Sequence, residues 1–228
     1  MLISEVFTLG FTPQEILKIP RGSQLLLLGP PGVAKTLFAI RYLADRIEKN
    51  EPCVFATTLW SPDQVRFSIS QHLAKNTQSD LLVVDGVTCI TAQASAEPYA
   101  FQNLYDLNTI NLILLQAIAD AQNGHLCIDN LTTLMTYSAP HSVIKFLQVL
   151  SARVKDHGVT GIYLVESGVQ TREILRTLQF SVDGMFEVRD EEVEGRLVHR
   201  LRLAHLRGIQ VDTRWLTFQE KTPLWLDF

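Results

Sequence analysis

Gly29-Pro30-Pro31-Gly32-Val33-Ala34-Lys35-Thr36 lies between the leucine run 25–28 and an amphipathic stretch in which Ile40, Leu43 and Ile47 share one face. Strand, glycine-bearing loop, helix is the order a phosphate-binding loop requires. Backbone N–H groups of the loop and helix start then face an anion. Lys35 neutralises charge on the β- and γ-phosphates, and the Thr36 hydroxyl reaches Mg²⁺. The octet departs from G-x-x-x-x-G-K-[ST] at one place, where Ala34 replaces the second glycine. If that position needs a left-handed backbone, a Cβ costs ~1–2 kcal/mol; otherwise the methyl only crowds the phosphates. The plain alternative is a strand–turn–helix loop with a chance lysine, and Lys-Thr at the correct offset weighs against it. The stretch predicts a nucleoside triphosphate site.

Working outward, apolar strand-like runs recur at 24–28, 52–58, 81–84, 126–129 and 161–165. Helical periodicity fills the gaps, as in Leu107, Ile110, Leu114 and Ile118, and in Val143, Leu147, Leu150 and Val154, which Gly158 terminates. Alternation of this kind predicts right-handed βαβ units and a mostly parallel sheet with helices on both faces. Ligands of such folds bind at the carboxyl ends of the strands. The last third changes character. Runs 185–189 and 197–203, joined by an acidic turn at 191–195, and a third run at 213–218 predict an antiparallel meander appended to the parallel sheet. The tail 222–228, with Trp225 and Phe228, either caps the core or reaches a neighbouring subunit.

A chain of 228 residues, 46% apolar, is read as one domain spanning 1–228. A formal net charge of −4 without blocks of one sign gives no general nucleic-acid surface. Arg196, Arg200, Arg202 and Arg207 form either a solvated ribbon face or a subunit contact. Cys53, Cys89 and Cys127 read as small core residues in a reducing compartment. The six histidines show no ligand spacing. Residues 1–9 carry no signal-peptide pattern, and no run approaches the ~20 apolar residues of a membrane span. A soluble cytoplasmic protein without a membrane partner is expected.

Binding alone does not hydrolyse; a metal-holding acid is needed too. Asp129 ends the apolar run His125-Leu-Cys-Ile-Asp129, about 90 residues beyond the loop, and suits an acid that holds the Mg²⁺ shell from a strand next to the loop's strand. Its alternative is an aspartate capping the next helix. Four further stretches carry a resemblance across nearly the whole chain. These are the run from Ile19-Pro-Arg-Gly-Ser to Thr36, Ile128-Asp-Asn-Leu-Thr-Thr-Leu134, His157-Gly-Val-Thr-Gly-Ile-Tyr-Leu-Val165, and His205-Leu-Arg-Gly208 followed by Asp212-Thr-Arg-Trp215. In order and content they resemble KaiC-like ATPases of the RecA superfamily.

The resemblance implies a RecA-like core and ATP held between adjacent subunits of a homo-oligomer, commonly a hexameric ring. It also implies a K-x-R-G motif that reaches the neighbour's γ-phosphate. Arg207 keeps the arginine of that motif and His205 takes the lysine place. As a finger acting in trans, Arg207 would supply ~10³–10⁵ in rate; otherwise it is a strand-edge arginine before a turn glycine. In the relatives a pair of glutamates precedes Ser-Pro, one of them polarising the attacking water. Here Leu59 and Trp60 precede Ser61-Pro62. Losing that base costs ~10²–10⁴ in rate and leaves ground-state binding largely intact. Asp63 or Glu166 are the candidate substitutes; as alternatives, the first is a helix-start acid and the second a surface residue. Gln179 and Phe180 occupy the places of the Ser-Thr pair that clock-type members phosphorylate, with Ser181 adjoining, which disfavours an autokinase.

The leading expectation is therefore an ATP- and Mg-binding oligomer, slow or silent in hydrolysis, whose nucleotide occupancy controls assembly. The alternative is an active ATPase acting on DNA, which would need a basic mobile loop. The stretch 168–179 offers Arg172 and Arg176 but also Glu173. A third reading is a module that presents an ATP-ordered surface to a protein partner. A scaffold that no longer binds nucleotide is opposed by Lys35, Thr36 and Asp129 standing together.

Overall fold

The computed structural model describes residues 19–32, 34–73, 81–121, 124–193 and 195–218. Val33, the start at 1–9 and the tail 222–228 lie outside the described residues. Along the chain come β1 (Gln24–Gly29), α1 (Ala34–Glu48), β2 (Cys53–Thr57), α2 (Pro62–Ser70), β3 (Leu81–Asp85), β4 (Tyr99–Ala100), α3 (Leu107–Asp120) and β5 (His125–Asp129). Then follow α4 (Leu131–Tyr137), α5 (Pro140–Asp156), β6 (Thr160–Glu166), α6 (Arg172–Phe180), β7 (Gly184–Val193), β8 (Arg196–Leu206) and β9 (Leu216–Phe218). Among the described residues nine strands form one sheet, in the order β4-β3-β2-β5-β6-β1-β7-β8-β9.

Residues alternate between two apolar layers. Leu25 and Leu27 of β1 pack with Phe38, Ile40, Leu43 and Ile47 of α1, while Leu26 packs on the opposite side with Leu114 of α3 and Leu147 of α5. A strand covered on both faces reads as an unbroken apolar run, which is why the leucines show no alternation with polar residues. Local chemistry sets the helix ends. Ser61 and Gln64 close a capping box ahead of α2, with Pro62 in the first turn. Gly158, at φ +68°, follows α5 in the left-handed backbone that a helix stop favours.

Two expectations change. The strand bearing Asp129 is not next to the strand of the phosphate-binding loop: β6 lies between β5 and β1. The expected antiparallel meander is present: β7 joins the sheet parallel to β1, then pairs antiparallel with β8, which pairs antiparallel with β9. Strands β7 and β8 are ten and eleven residues long, so they absorb most of the acidic turn and reverse around Gly195, at φ +73°. The stretch 168–179 is largely helix, not loop: Thr171 caps α6, and Ile174 and Leu178, one turn apart, anchor it in the core. Cys53 and Cys127 are buried and Cys89 is half-buried, all with free thiols. No helix among the described residues is long and apolar enough to cross a membrane.

Candidate nucleotide site

At the carboxyl end of β1 the chain turns through the loop into α1. Ala34 is the first residue of that helix and lies outside the positive-φ residues of the chain. Its backbone is therefore right-handed, and the alanine carries no conformational cost. Gly32 adopts φ +143°, and a Cβ there would meet no heavy atom within 4 Å; glycine serves its conformation rather than its space. Gly29 serves space instead, because a Cβ would sit 2.9 Å from Val188 Cβ and 3.4 Å from Lys35 Cδ.

Lys35 is 2% exposed. Its Nζ donates to Pro30 O at 2.5 Å and to Glu166 Oε2 at 2.9 Å. Thr36 Oγ1 donates to Asp129 Oδ2 at 2.8 Å, which brings the helix start and the end of β5 together across the intervening tip of β6. Burial raises the Asp129 carboxyl to about 6, against the lowering pull of the Thr36 hydrogen bond and the Lys35 ammonium. Glu166 sits in register with Gly29 at the end of β6. Its Oε1 accepts from Asn130 Nδ2 at 3.3 Å, and its backbone N–H donates to Thr132 Oγ1 at 2.8 Å.

Hydroxyls and an amide lock this cluster to its neighbours. Thr58 N–H donates to Asp129 O at 2.8 Å, and its hydroxyl accepts from Asn130 N–H at 3.2 Å. Asn130 caps α4 by accepting from Thr133 N–H at 2.8 Å. Thr57 Oγ1 donates to Trp60 O and accepts from Trp60 N–H, at 2.8 and 2.9 Å. The resulting tight bend turns Leu59 out, 51% exposed, and lays Trp60 against the α1 layer.

The structure thus gathers Lys35, Thr36, Asp129 and Glu166. Glu166, expected as a surface group or a weak substitute base, is partly buried and ion-paired in the centre of the site. Asp63 stands exposed in the first turn of α2, where its charge acts on Arg66. Arg207 lies at the other end of the sheet. Its N–H donates to Asp183 O, and Asp183 N–H donates to Gln24 O at the foot of β1. Five residue-to-residue steps of strand separate Gln24 from Gly29, roughly 17 Å at ~3.3 Å per step. The guanidinium is 65% exposed, donates to Val182 O at 3.1 Å and lies 3.8 Å from Asp183. Sequence reasoning missed Thr58, Asn130 and Thr132. Asn130, three residues before Thr133 at a strand-to-helix junction, was legible as a cap.

A mostly parallel sheet with helices on both faces, a glycine-bearing octet between β1 and α1 and a buried aspartate at the end of β5 define a RecA-like α/β protein. The family model for KaiC ATPases matches residues 14–221, and the chain belongs to that family. A UPF0273 protein of Aeropyrum pernix is 28% identical over 207 residues, covering 88% of this chain and 83% of that one. A UPF0273 protein of Methanopyrus kandleri is 29% identical over 196 residues, covering 83% and 77%. The circadian clock oscillator protein KaiC of Acaryochloris marina is 28% identical over 195 residues, which span 83% of this chain but 37% of that protein. Among solved structures, a KaiC-like protein of Pyrococcus horikoshii superposes with a TM-score of 0.69 at 17% identity, over 88% of this chain and 87% of that one. That likeness shows the fold.

Proposed function

We propose that this chain binds Mg·ATP at the Lys35–Thr36–Asp129 cluster, at a boundary between copies, and turns it over slowly, so that occupancy controls assembly or partner binding. The observation that carries this reading is the buried Lys35 ammonium beside the Thr36–Asp129 pair at the carboxyl end of β1. A hydroxyl and a carboxylate are hard oxygen donors of the kind magnesium takes, so the residues fit the ion. Bound there, the ion would draw negative charge from the phosphates. Pro30 and Pro31 have no N–H to offer, which leaves the amides of Gly32, Ala34, Lys35 and Thr36 to meet the anion at the helix start.

Of the two carboxylates in the cluster, Asp129 is committed to Thr36 and the metal. Glu166 is the one left to orient water, and it starts from an ion pair with Lys35 that must open first. Leu59 and Trp60 stand where the family resemblance places the catalytic glutamates, and neither accepts a proton. The position of Arg207 supports action on a neighbouring copy, because a side chain at the foot of β1 does not span roughly 17 Å to its own loop. Occupancy at such a boundary stabilises the assembly by linkage, by roughly 2.7 kcal/mol at a hundredfold excess over Kd.

Mass determination in solution with and without Mg·ATP, followed by a turnover assay on the same sample, tests the reading. It expects nucleotide-dependent growth in mass and turnover well under ~1 s⁻¹. Ordinary enzyme rates, or a mass indifferent to nucleotide, would overturn it.

A further inference from the structure

On the face opposite α1, the start of α3, the end of α4 and the first half of α5 enclose a groove of about 450 Å³. Tyr105, Tyr137 and Val149 stand around it 69%, 47% and 46% exposed. Three large apolar groups left in water around one opening are what an interaction site requires and a solvated surface does not.

The polar groups of the groove narrow the partner. Asn111 lines it at 8% exposure, and its Oδ1 has no hydrogen-bond partner among the described residues. A buried amide oxygen left unmet beside an opening rewards an incoming N–H donor. Asp106 also lines the groove, but its carboxylate already accepts from the N–H groups of Asn108 and Thr109 and from the Thr109 hydroxyl. Lys145 completes the wall, is exposed, and forms no ion pair among the described residues. A lysine without an ion pair among the described residues, one unmet acceptor and an aromatic rim together fit an extended peptide. Its backbone would supply the N–H, and adjacent side chains would supply a carboxylate and an apolar or aromatic group.

The groove shares an element with the nucleotide site. Tyr137 ends α4, and Ser138, its C-cap, donates through Oγ to Tyr105 O at 3.3 Å. At the other end of this seven-residue helix, roughly 10 Å away, Asn130 and Thr132 hold Glu166, which holds Lys35. A change in what Lys35 binds therefore acts on Glu166, on the start of α4, and through it on the groove wall.

We propose that this groove docks an acidic, apolar-anchored peptide segment of a partner protein, and that α4 couples its affinity to nucleotide. Only the second half rests on the function proposed above. The test is panning a displayed library of random dodecapeptides on the full chain, followed by affinity measurement on wild type, Lys145→Glu and Asn111→Leu. The expected result is enrichment of sequences with a carboxylate beside an aromatic or aliphatic residue. These should bind Lys145→Glu at least tenfold more weakly and Asn111→Leu severalfold more weakly. No enrichment, no acidic bias, or equal binding to wild type and Lys145→Glu overturns the docking site. For the best peptide, Mg·ATP should change its Kd by the same factor as the peptide changes that of ATP, since coupling is reciprocal. A factor of one in both directions overturns the coupling. Absence of ATP binding to wild type would instead remove the nucleotide reading and leave the peptide comparison to decide the groove.

Discussion

Lys35 Nζ stands 2.9 Å from Glu166 Oε2, so the cation that the proposed site offers to phosphate is held by a carboxylate from the neighbouring strand. The pair is nearly buried, with side chains 2% and 15% exposed, and on the proposed function phosphates entering the loop would compete with Glu166 for the same ammonium. Glu166→Gln removes the competing charge and its repulsion of the triphosphate. ATP affinity measured by calorimetry should rise severalfold, on the order of 1 kcal/mol. If Glu166 orients water, single-turnover hydrolysis should fall by at least ~10²-fold in the same variant. Tighter binding with unchanged turnover would leave Glu166 a latch and nothing more.

Leu59→Glu places a carboxylate where the family resemblance implies a catalytic glutamate. The side chain is half exposed, so the substitution leaves the core intact. Trp60 packs on the α1 layer, which makes its replacement a stability experiment instead. Leu59→Glu should raise hydrolysis by ~10²-fold without changing ATP affinity. A phosphate-release assay that finds no gain would show that turnover is limited elsewhere.

Arg207 should be dispensable for binding and needed for turnover. Arg207→Ala is expected to bind ATP like wild type and to hydrolyse it ~10³-fold more slowly. Mixing Arg207→Ala with Lys35→Ala, each silent alone, should recover activity, since some boundaries then pair an intact loop with an intact arginine. Failure of every mixing ratio to recover turnover would place the arginine outside the reaction.

His125 gives the fold an acid sensitivity. Its Nδ1 meets the Tyr42 hydroxyl and its Nε2 meets Glu51 Oε2, both at 2.8 Å, at the amino end of β5. Burial lowers its pKa to about 4, with the Glu51 hydrogen bond acting the other way. The unfolded chain therefore takes the proton first. Stability from the neutral ring is complete above ~6.5 and is lost as pH falls towards 4. The full shift corresponds to roughly 3 kcal/mol. Urea midpoints for wild type and His125→Gln between pH 7 and 4.5 should converge as pH falls. Parallel curves would contradict this.

Much of the fold was legible because a doubly covered sheet writes itself as apolar runs between amphipathic helices, and the runs at Leu25, Phe55, Val83, Cys127 and Leu164 all became strands. Spatial order was not legible. Nothing in Ile128-Asp129 tells that β6 will slide between that strand and the loop. For the same reason Glu166 read as a surface group, since its role depends on a register with Gly29 that only pairing reveals. Helix α6 was missed because its core contact is two residues, Ile174 and Leu178, too short a pattern to stand out from a loop with charges. That Lys35, Thr36 and Asp129 would meet was legible, because a glycine-bearing loop before a helix and an aspartate closing an apolar strand both lie at the carboxyl end of a parallel sheet.

The most direct measurement is isothermal calorimetry of ATP, with magnesium, into wild type and Lys35→Ala. One site per chain on wild type, with no heat from the variant, is the expected result. Silence on wild type with both ATP and GTP would contradict the central claim that the Lys35–Thr36–Asp129 cluster is a nucleotide site.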